Sequence, residues 1–311
     1  MAVTLKGRSL VSLKDFSTEQ VWQVLRTAEA LKLAYYRGER PQLLAGQTLA
    51  MIFQKPSLRT RVSFEAGMTR LGGHAIYLAP TDIKLGARET TEDIAIVLSR
   101  YVDLIMARVF GHNLVVDLAK YATVPVINGL SDEEHPCQVL ADLFTIYEKK
   151  GRLEGLKFVF IGDGNNVAHS LMYGAARVGM HCTICTPKNY QPRKEIVKEA
   201  QEIGRLTGAR IKLAGNALAA AKGADVIYTD VWASMGQEAE AEKRRKDFAG
   251  YQVNAKLMSV ADEQALILHC LPAHYGEEID YETSRTPHSV IFDEAENRLH
   301  AQNALMVLLA G

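Results

Sequence analysis

Strand-like and helix-like segments alternate along this chain from one end to the other, and few architectures accommodate that pattern. A first helix opens on a Ser17–Gln20 capping box and carries Val21, Leu25, Ala28 and Leu31 at helical spacing. Strands are then expected near 48–53, 74–79, 103–109 and 124–128, with helices near 59–71, 91–100 and 112–121 between them. A long helical pattern from Pro136 to Lys150 leads to a second set. Its strands are expected near 157–161, 181–186, 210–213, 226–230, 266–270 and 290–292, and its helices near 166–179, 192–206, 216–221, 237–248 and 254–261. An apolar helix over 297–309 closes the chain. Repeated βα units bury their strands in parallel sheets with helices on both faces. With 311 residues there is enough chain for two such cores. The expected fold class is therefore α/β, two doubly wound parallel-sheet lobes joined by a helix. The first domain spans 1–148 and the second 149–293, with a C-terminal helix, 294–311, packing back on the first.

In open α/β sheets ligands settle beyond the carboxyl ends of the strands, so residues just after strands carry the most functional information. The run Phe53-Gln54-Lys55-Pro56-Ser57-Leu58-Arg59-Thr60-Arg61 sits where a strand gives way to a helix. A helix N-terminus has free N–H groups and the positive end of the macrodipole, which suits a phosphate. Arg59 adds a planar fork that pairs two anionic oxygens at once. On its own, Ser57-Leu58-Arg59-Thr60 also fits a capped helix with solvated arginines. After the third strand Arg108 stands at an otherwise apolar strand end, where a structural ion pair is the plainer reading. After the fourth, Pro136 can open a helix, placing His135 at its cap and Gln138 one turn in. Together these residues offer donors for a small molecule with both a phosphate and a carbonyl or amide.

The second lobe repeats the logic with different chemistry. Ile161-Gly162-Asp163-Gly164-Asn165-Asn166-Val167 follows a strand and opens a helix. It departs from a dinucleotide fingerprint, because Val167 stands in place of the third glycine and no ribose-binding acid follows the next strand. A nicotinamide dehydrogenase is the weaker reading, and the two asparagines suit the charged groups of a zwitterion. Asp230 ends another strand, with Ser234-Met235-Gly236 after it, and His269-Cys270-Leu271-Pro272 ends the next. Alone, Asp230 reads as a helix cap and Cys270 as core.

Lys+Arg and Asp+Glu are both 36, so the formal net charge is zero with neutral histidine. That balance gives no support for nucleic-acid or anionic-membrane binding as the main task. The four cysteines, Cys137, Cys182, Cys185 and Cys270, include Cys182 and Cys185 in one strand-like run, which reads as buried core rather than a metal pair. Reduced thiols, no apolar leader segment and no run of about 20 apolar residues give the expectation of a soluble, cytoplasmic protein.

Taken together, Ser57-Leu58-Arg59-Thr60, His135-Pro136-Cys137-Gln138, Asp230 with Ser234-Met235-Gly236, and His269-Cys270-Leu271-Pro272 resemble the aspartate/ornithine carbamoyltransferase family, and within it the ornithine-using branch. The similarity runs over nearly the whole chain. It implies carbamoyl transfer from carbamoyl phosphate to the δ-amine of L-ornithine, giving L-citrulline and phosphate, with no cofactor and no metal. It also implies a trimer with active sites at subunit boundaries. On this resemblance Ser57, Leu58 through its N–H, Arg59, Thr60 and Arg298 hold carbamoyl phosphate. Arg108 and His135 polarise its carbonyl, Gln138 takes its amide, and Cys270 and Leu271 complete its surroundings. Asp230 and Cys270 orient the attacking amine, while Asn166, Ser234 and Met235 bind the amino-acid end of ornithine. Two positions depart from the family pattern. Leu58 replaces a threonine whose backbone N–H is the contacting group, and Lys84 stands where the ornithine branch has glutamine. Aspartate-using relatives place a lysine near there, donated by a neighbouring subunit. A putrescine-using relative is the nearest rival, and it is expected to lack Ser-Met-Gly, since putrescine has no α-carboxylate to bind.

Overall fold

The computed structural model describes residues 4–83, 85, 88–233 and 238–311. Lys84, Ser234 and Met235, three of the residues singled out by the sequence, lie outside the described residues. The chain divides into two compact units, one comprising Met1–Phe144 with Glu296–Gly311 and the other Thr145–Ala295.

The first unit holds a four-stranded parallel sheet of order β2-β1-β3-β4, with β1 Thr48–Phe53, β2 His74–Leu78, β3 Leu104–Arg108 and β4 Val126–Leu130. Helix α1 (Thr18–Tyr36) precedes it, and its capping box forms as the sequence dictates, Ser17 N–H donating to Gln20 Oε1 at 2.8 Å. Between the strands run α2 (Leu58–Arg70), α3 (Pro80–Ile83), α4 (Thr91–Leu98) and α5 (His112–Tyr121), and α6 (Pro136–Lys150) follows β4. One core packs Ala50, Ile52, Ile105 and Ala107 of β1 and β3 against Ile94, Val115 and Leu118 of α4 and α5. The chain leaves β1 in opposite directions to reach β2 and β3, so the strand ends of β1 and β3 form the switch point where such sheets bind ligands. There Phe53 and Arg108 lie in register, and Gln54 fastens the two ends together. Gln54 N–H donates to Arg108 O at 2.8 Å, and its Oε1 accepts from Phe110 N–H at 2.9 Å.

The second unit holds a five-stranded parallel sheet of order β7-β6-β5-β8-β9. Its strands are β5 Lys157–Ile161, β6 His181–Cys185, β7 Ile211–Ala214, β8 Val226–Thr229 and β9 Leu266–His269. The helices are α7 (Asn166–Arg177), α8 (Lys194–Thr207), α9 (Ala217–Ala221), α10 (Ala241–Asp247) and α11 (Ala255–Met258). Cys182 and Cys185 are fully buried in β6, as the sequence reading required, and burial pushes their thiol pKa values up, Cys185 to about 12. Here the switch point lies between the ends of β5 and β8, where Ile161 pairs with Thr229.

The closing helix α12 runs Ile291–Ala310, six residues longer at its start than the sequence pattern suggested. The expected strand over 290–292 is therefore corrected to the entry of a helix. Ser289 makes a single parallel bridge to Ile267 before the helix begins, and the β-branched Val290 and Ile291 are buried there, which explains the misleading pattern. From Glu296 onward α12 belongs to the first unit and lies against α2. A Cβ at Gly67 would stand 2.2 Å from Asn303 Oδ1, so a glycine permits this close approach. Among the described residues no helix is long and apolar enough to cross a membrane.

Candidate active site

In the first unit the polar side chains converge on Thr60. Ser57 caps α2 from an extended backbone, its Oγ accepting from Thr60 N–H at 3.2 Å. This leaves Leu58 outward, 74% exposed, and turns Thr60 inward to full burial. Arg108, at the end of β3, sends Nη1 to Thr60 Oγ1 at 3.4 Å. Arg298, on α12, sends Nη2 to the same oxygen at 3.4 Å and Nη1 to Gln138 Oε1 at 2.7 Å. Gln138 in turn donates through Nε2 to the buried Asp142 at 2.8 Å, and Gln302 accepts from Arg298 Nε at 3.0 Å. Four elements, α2, β3, α6 and α12, thus bring two guanidinium groups onto one hydroxyl.

His135 is the N-terminal neighbour of α6, its carbonyl accepting from Gln138 and Val139 N–H. Its side chain is buried, and burial first, then the charges of Arg298, Arg108 and Arg59, hold its pKa well below the ordinary histidine value. A neutral imidazole in a ring of fixed cations polarises a carbonyl without giving up its proton. Lys55, in the segment between β1 and α2, is also held below its usual pKa, by burial first and then by Arg108. Excess positive charge at a buried site with a helix N-terminus calls for an anion.

In the second unit the focus is a carboxylate. Asp230 follows β8 and is buried. Its Oδ1 accepts from Cys270 Sγ at 3.1 Å and from its neighbour Val231 N–H at 2.8 Å, and its Oδ2 accepts from Asn165 Nδ2 at 2.8 Å. Asn165 also caps α7, its Oδ1 accepting from Val167 and Ala168 N–H, so Asn166 becomes the first helical residue beside Asp230. Cys270 and Leu271 follow β9. Leu271 has φ +57°, a left-handed conformation uncommon outside glycine and asparagine, and His269 Nδ1 accepts its N–H at 2.9 Å. His269 N–H donates to Glu294 at 2.8 Å, and His269 Nε2 donates to the fully buried Glu278 at 3.0 Å.

The glycines after β5 also find their explanation. A Cβ at Gly164 would stand 2.2 Å from Pro192 N, and Gly164 N–H donates to Tyr190 O at 2.8 Å. The chain itself fills the space that a dinucleotide pyrophosphate takes in the fingerprint fold, which disfavours the dehydrogenase reading.

The structure thus groups Ser57, Thr60, Arg108, His135, Gln138 and Arg298 in one unit, with Leu58 and Arg59 on the same helix start. It groups Asp230 and Cys270 in the other, with Leu271 next to Cys270 in the chain and Asn166 next to Asn165, which donates to Asp230. Sequence reasoning did not find the supports: Gln54, Asp142, Gln302, Glu278 and Glu294. Nor did it find Arg244, a buried residue that pairs with Asp163 at 2.7 Å and donates to Trp232 O at 2.8 Å. Two of them, Gln302 one turn from Arg298 and Asp142 one turn from Gln138, stood at a spacing that points to their partners.

Residues 8–148 match the carbamoyl-P binding domain of the aspartate/ornithine carbamoyltransferases, and residues 154–309 match the Asp/Orn binding domain. The chain is 55% identical to the ornithine carbamoyltransferase of Pyrococcus abyssi over 311 residues, covering 100% of this chain and 98% of that protein. The solved ornithine carbamoyltransferase of Pyrococcus furiosus superposes with a TM-score of 0.97 at 54% identity, covering 99% of each chain. That of Giardia lamblia does so with a TM-score of 0.88 at 36% identity, covering 97% of each. Two units, each with its site at the switch point of a parallel sheet and each matched by its own domain family, lead to one conclusion: the chain belongs to the aspartate/ornithine carbamoyltransferase family.

Proposed function

We propose that this chain is an ornithine carbamoyltransferase, moving the carbamoyl group of carbamoyl phosphate to the δ-amine of L-ornithine and releasing L-citrulline and phosphate. One observation carries the reading: Arg108 and Arg298 converge on Thr60 beside a neutral His135, at a helix N-terminus. Ser57, the Leu58 N–H, Arg59, Thr60 and Arg298 hold the phosphate end. As the amine attacks the carbamoyl carbon, negative charge grows on its oxygen, and Arg108, His135 and Thr60 stabilise that charge. Catalysis is mainly positioning and electrostatic stabilisation. The Gln138 carbonyl, already oriented by Arg298, keeps a second lone pair for the carbamoyl NH₂. The carbon–oxygen bond to phosphate then breaks, the electron pair leaves with phosphate, and the amine loses a proton. The Asp230–Cys270 pair orients the δ-amine, and the Asp230 carboxylate takes up the proton that the amine gives up, with Leu271 beside it. Asn166, Ser234 and Met235 bind the α-amino acid end.

The carbamoyl-phosphate domain is assigned to 1–148 with the helix 294–311, and the ornithine domain to 149–293. The resemblance supports a cytoplasmic trimer with active sites at subunit boundaries, with Lys84 of one subunit reaching the phosphate of the next. Lys84→Gln should then raise the KM for carbamoyl phosphate at low salt while sedimentation still shows a trimer. The direct test of the activity is citrulline formation with ornithine, putrescine, acetylornithine and aspartate in parallel. Ornithine should be preferred over putrescine by orders of magnitude in kcat/KM, because a site built for an α-amino acid leaves its polar groups unpaired with a substrate that lacks one. Equal turnover of putrescine and ornithine would overturn the ornithine assignment.

A further inference from the structure

The fully buried Glu278 uses only one of its two carboxylate oxygens in hydrogen bonds. Oε1 accepts from His269 Nε2 at 3.0 Å and from His274 N–H at 2.6 Å. Oε2 is buried and has no hydrogen-bond partner among the described residues. A buried carboxylate oxygen in that condition carries an uncompensated desolvation cost. Beside it, the turn His274–Glu277, closed by Glu277 N–H donating to His274 O at 2.9 Å, places an imidazole and a second carboxylate. His274 Nδ1 lies 4.0 Å from Glu277 Oε2. The other oxygen of Glu277 accepts from Arg245 Nε at 2.8 Å, which fixes the carboxylate with Oε2 turned toward the histidine. One ligand atom from each of His274, Glu277 and Glu278 lies within 4.8 Å of the others.

We infer that His274, Glu277 and Glu278 form a binding site for a divalent transition-metal ion. The spacing fits donors at about 2.0–2.2 Å from a shared ion after small side-chain rotations. An imidazole with two carboxylates selects Zn²⁺ or Co²⁺ over Mg²⁺ or Ca²⁺, which take oxygen donors. His274 is about half exposed, so the ion has a path from solvent. Arg245 and His269 act as outer partners that orient the two carboxylates.

Asp230, His269 and Cys270 also bring three donor types together, but their atoms are engaged. Asp230 Oδ1 accepts from Cys270 and Val231, and Oδ2 from Asn165, while both ring nitrogens of His269 are held by Leu271 N–H and Glu278. Of the two groups, the one at His274 contains a buried carboxylate oxygen with no hydrogen-bond partner among the described residues. It stands independently of the carbamoyl-transfer reading, since none of its three ligands is assigned a contact with either substrate.

The test is a titration of the full-length, EDTA-stripped chain with Co²⁺, followed by absorption, and with Zn²⁺, followed by calorimetry. One equivalent should bind, with d–d absorption and no sulfur-to-cobalt charge-transfer band. His274→Ala and Glu277→Gln should each weaken binding by more than the roughly 10–100-fold that loss of an outer partner costs. Both variants should keep the basal turnover measured in EDTA. Three results would overturn the inference: no saturable binding, binding unchanged in both variants, or a thiolate band that disappears in Cys270→Ser.

Discussion

The two units share one architecture and do opposite electrostatic work. In each, a parallel sheet changes winding direction at its middle, and the side chains of interest follow the strands that flank the change. In the first unit those ends gather arginines around a hydroxyl and a neutral histidine. In the second they gather a carboxylate, a thiol and an amide, with a neighbouring cation, Arg244, already committed to Asp163. The difference shows that the sheet supplies only positions. The sign of the site is written in the few residues after each strand and in the helices that reach them. An anionic donor and an amine acceptor need opposite surroundings, and two parallel-sheet units with different residues at their strand ends provide both.

Substitutions that strip one pole should leave the other intact. Asp230→Ala has the largest expected effect. It removes the acceptor of both Cys270 and Asn165 and should lower kcat by about 10²–10⁴, the range of a lost acid–base group. Ser234→Ala, at the remote end of the substrate, should cost far less in the same citrulline assay. Next comes Arg108→Ala, which removes one donor to the growing oxyanion and should lower kcat by about 10²–10³. If Arg108→Ala changed only the KM for ornithine, the division of labour between the units would be wrong.

A smaller effect belongs to stability. Arg298→Ala leaves Gln138 Oε1, Gln302 Oε1 and Thr60 without a shared donor inside the first unit. Denaturant unfolding should show a loss of about 1–3 kcal/mol, the cost of stranding a buried polar group. The smallest effect is in the pH dependence. The His135 pKa is lower in the folded chain than in the unfolded one, so as pH falls below about 6.5 the unfolded chain takes up the proton first. Stability should therefore decline with falling pH from there down to the folded pKa. His135 contributes at most about 1.4 kcal/mol per pH unit, and His300 and His181, also held low, add to the slope. His135→Gln should flatten the slope by that one proton, and an unchanged slope would mean His135 is not neutral because of the arginines and burial.

Much of this was legible in the chain because strand ends are local features. Alternating periodicity gave the βα order, the Ser17 cap fixed the first helix start, and Pro136 marked α6. What escaped was tertiary. Glu278 and Glu294 look like ordinary acids in sequence, and their importance lies in burial against His269. The misread strand at 290–292 failed for the same reason. Val290 and Ile291 are buried by the sheet beside them, and burial alone does not distinguish a strand from a helix entry. Gly164 is the reverse case, a motif residue whose purpose is packing against Pro192.

The most direct test of the central claim, that the anion belongs to one unit and the amine to the other, is an equilibrium titration of carbamoyl phosphate without ornithine. Arg59→Ala should lose carbamoyl-phosphate affinity by about 2–5 kcal/mol, the cost of removing a charged partner that the bound phosphate would pair and desolvate, whereas Asp230→Ala should bind it as the unaltered chain does. Equal losses in both variants, or no loss in Arg59→Ala, would contradict the account.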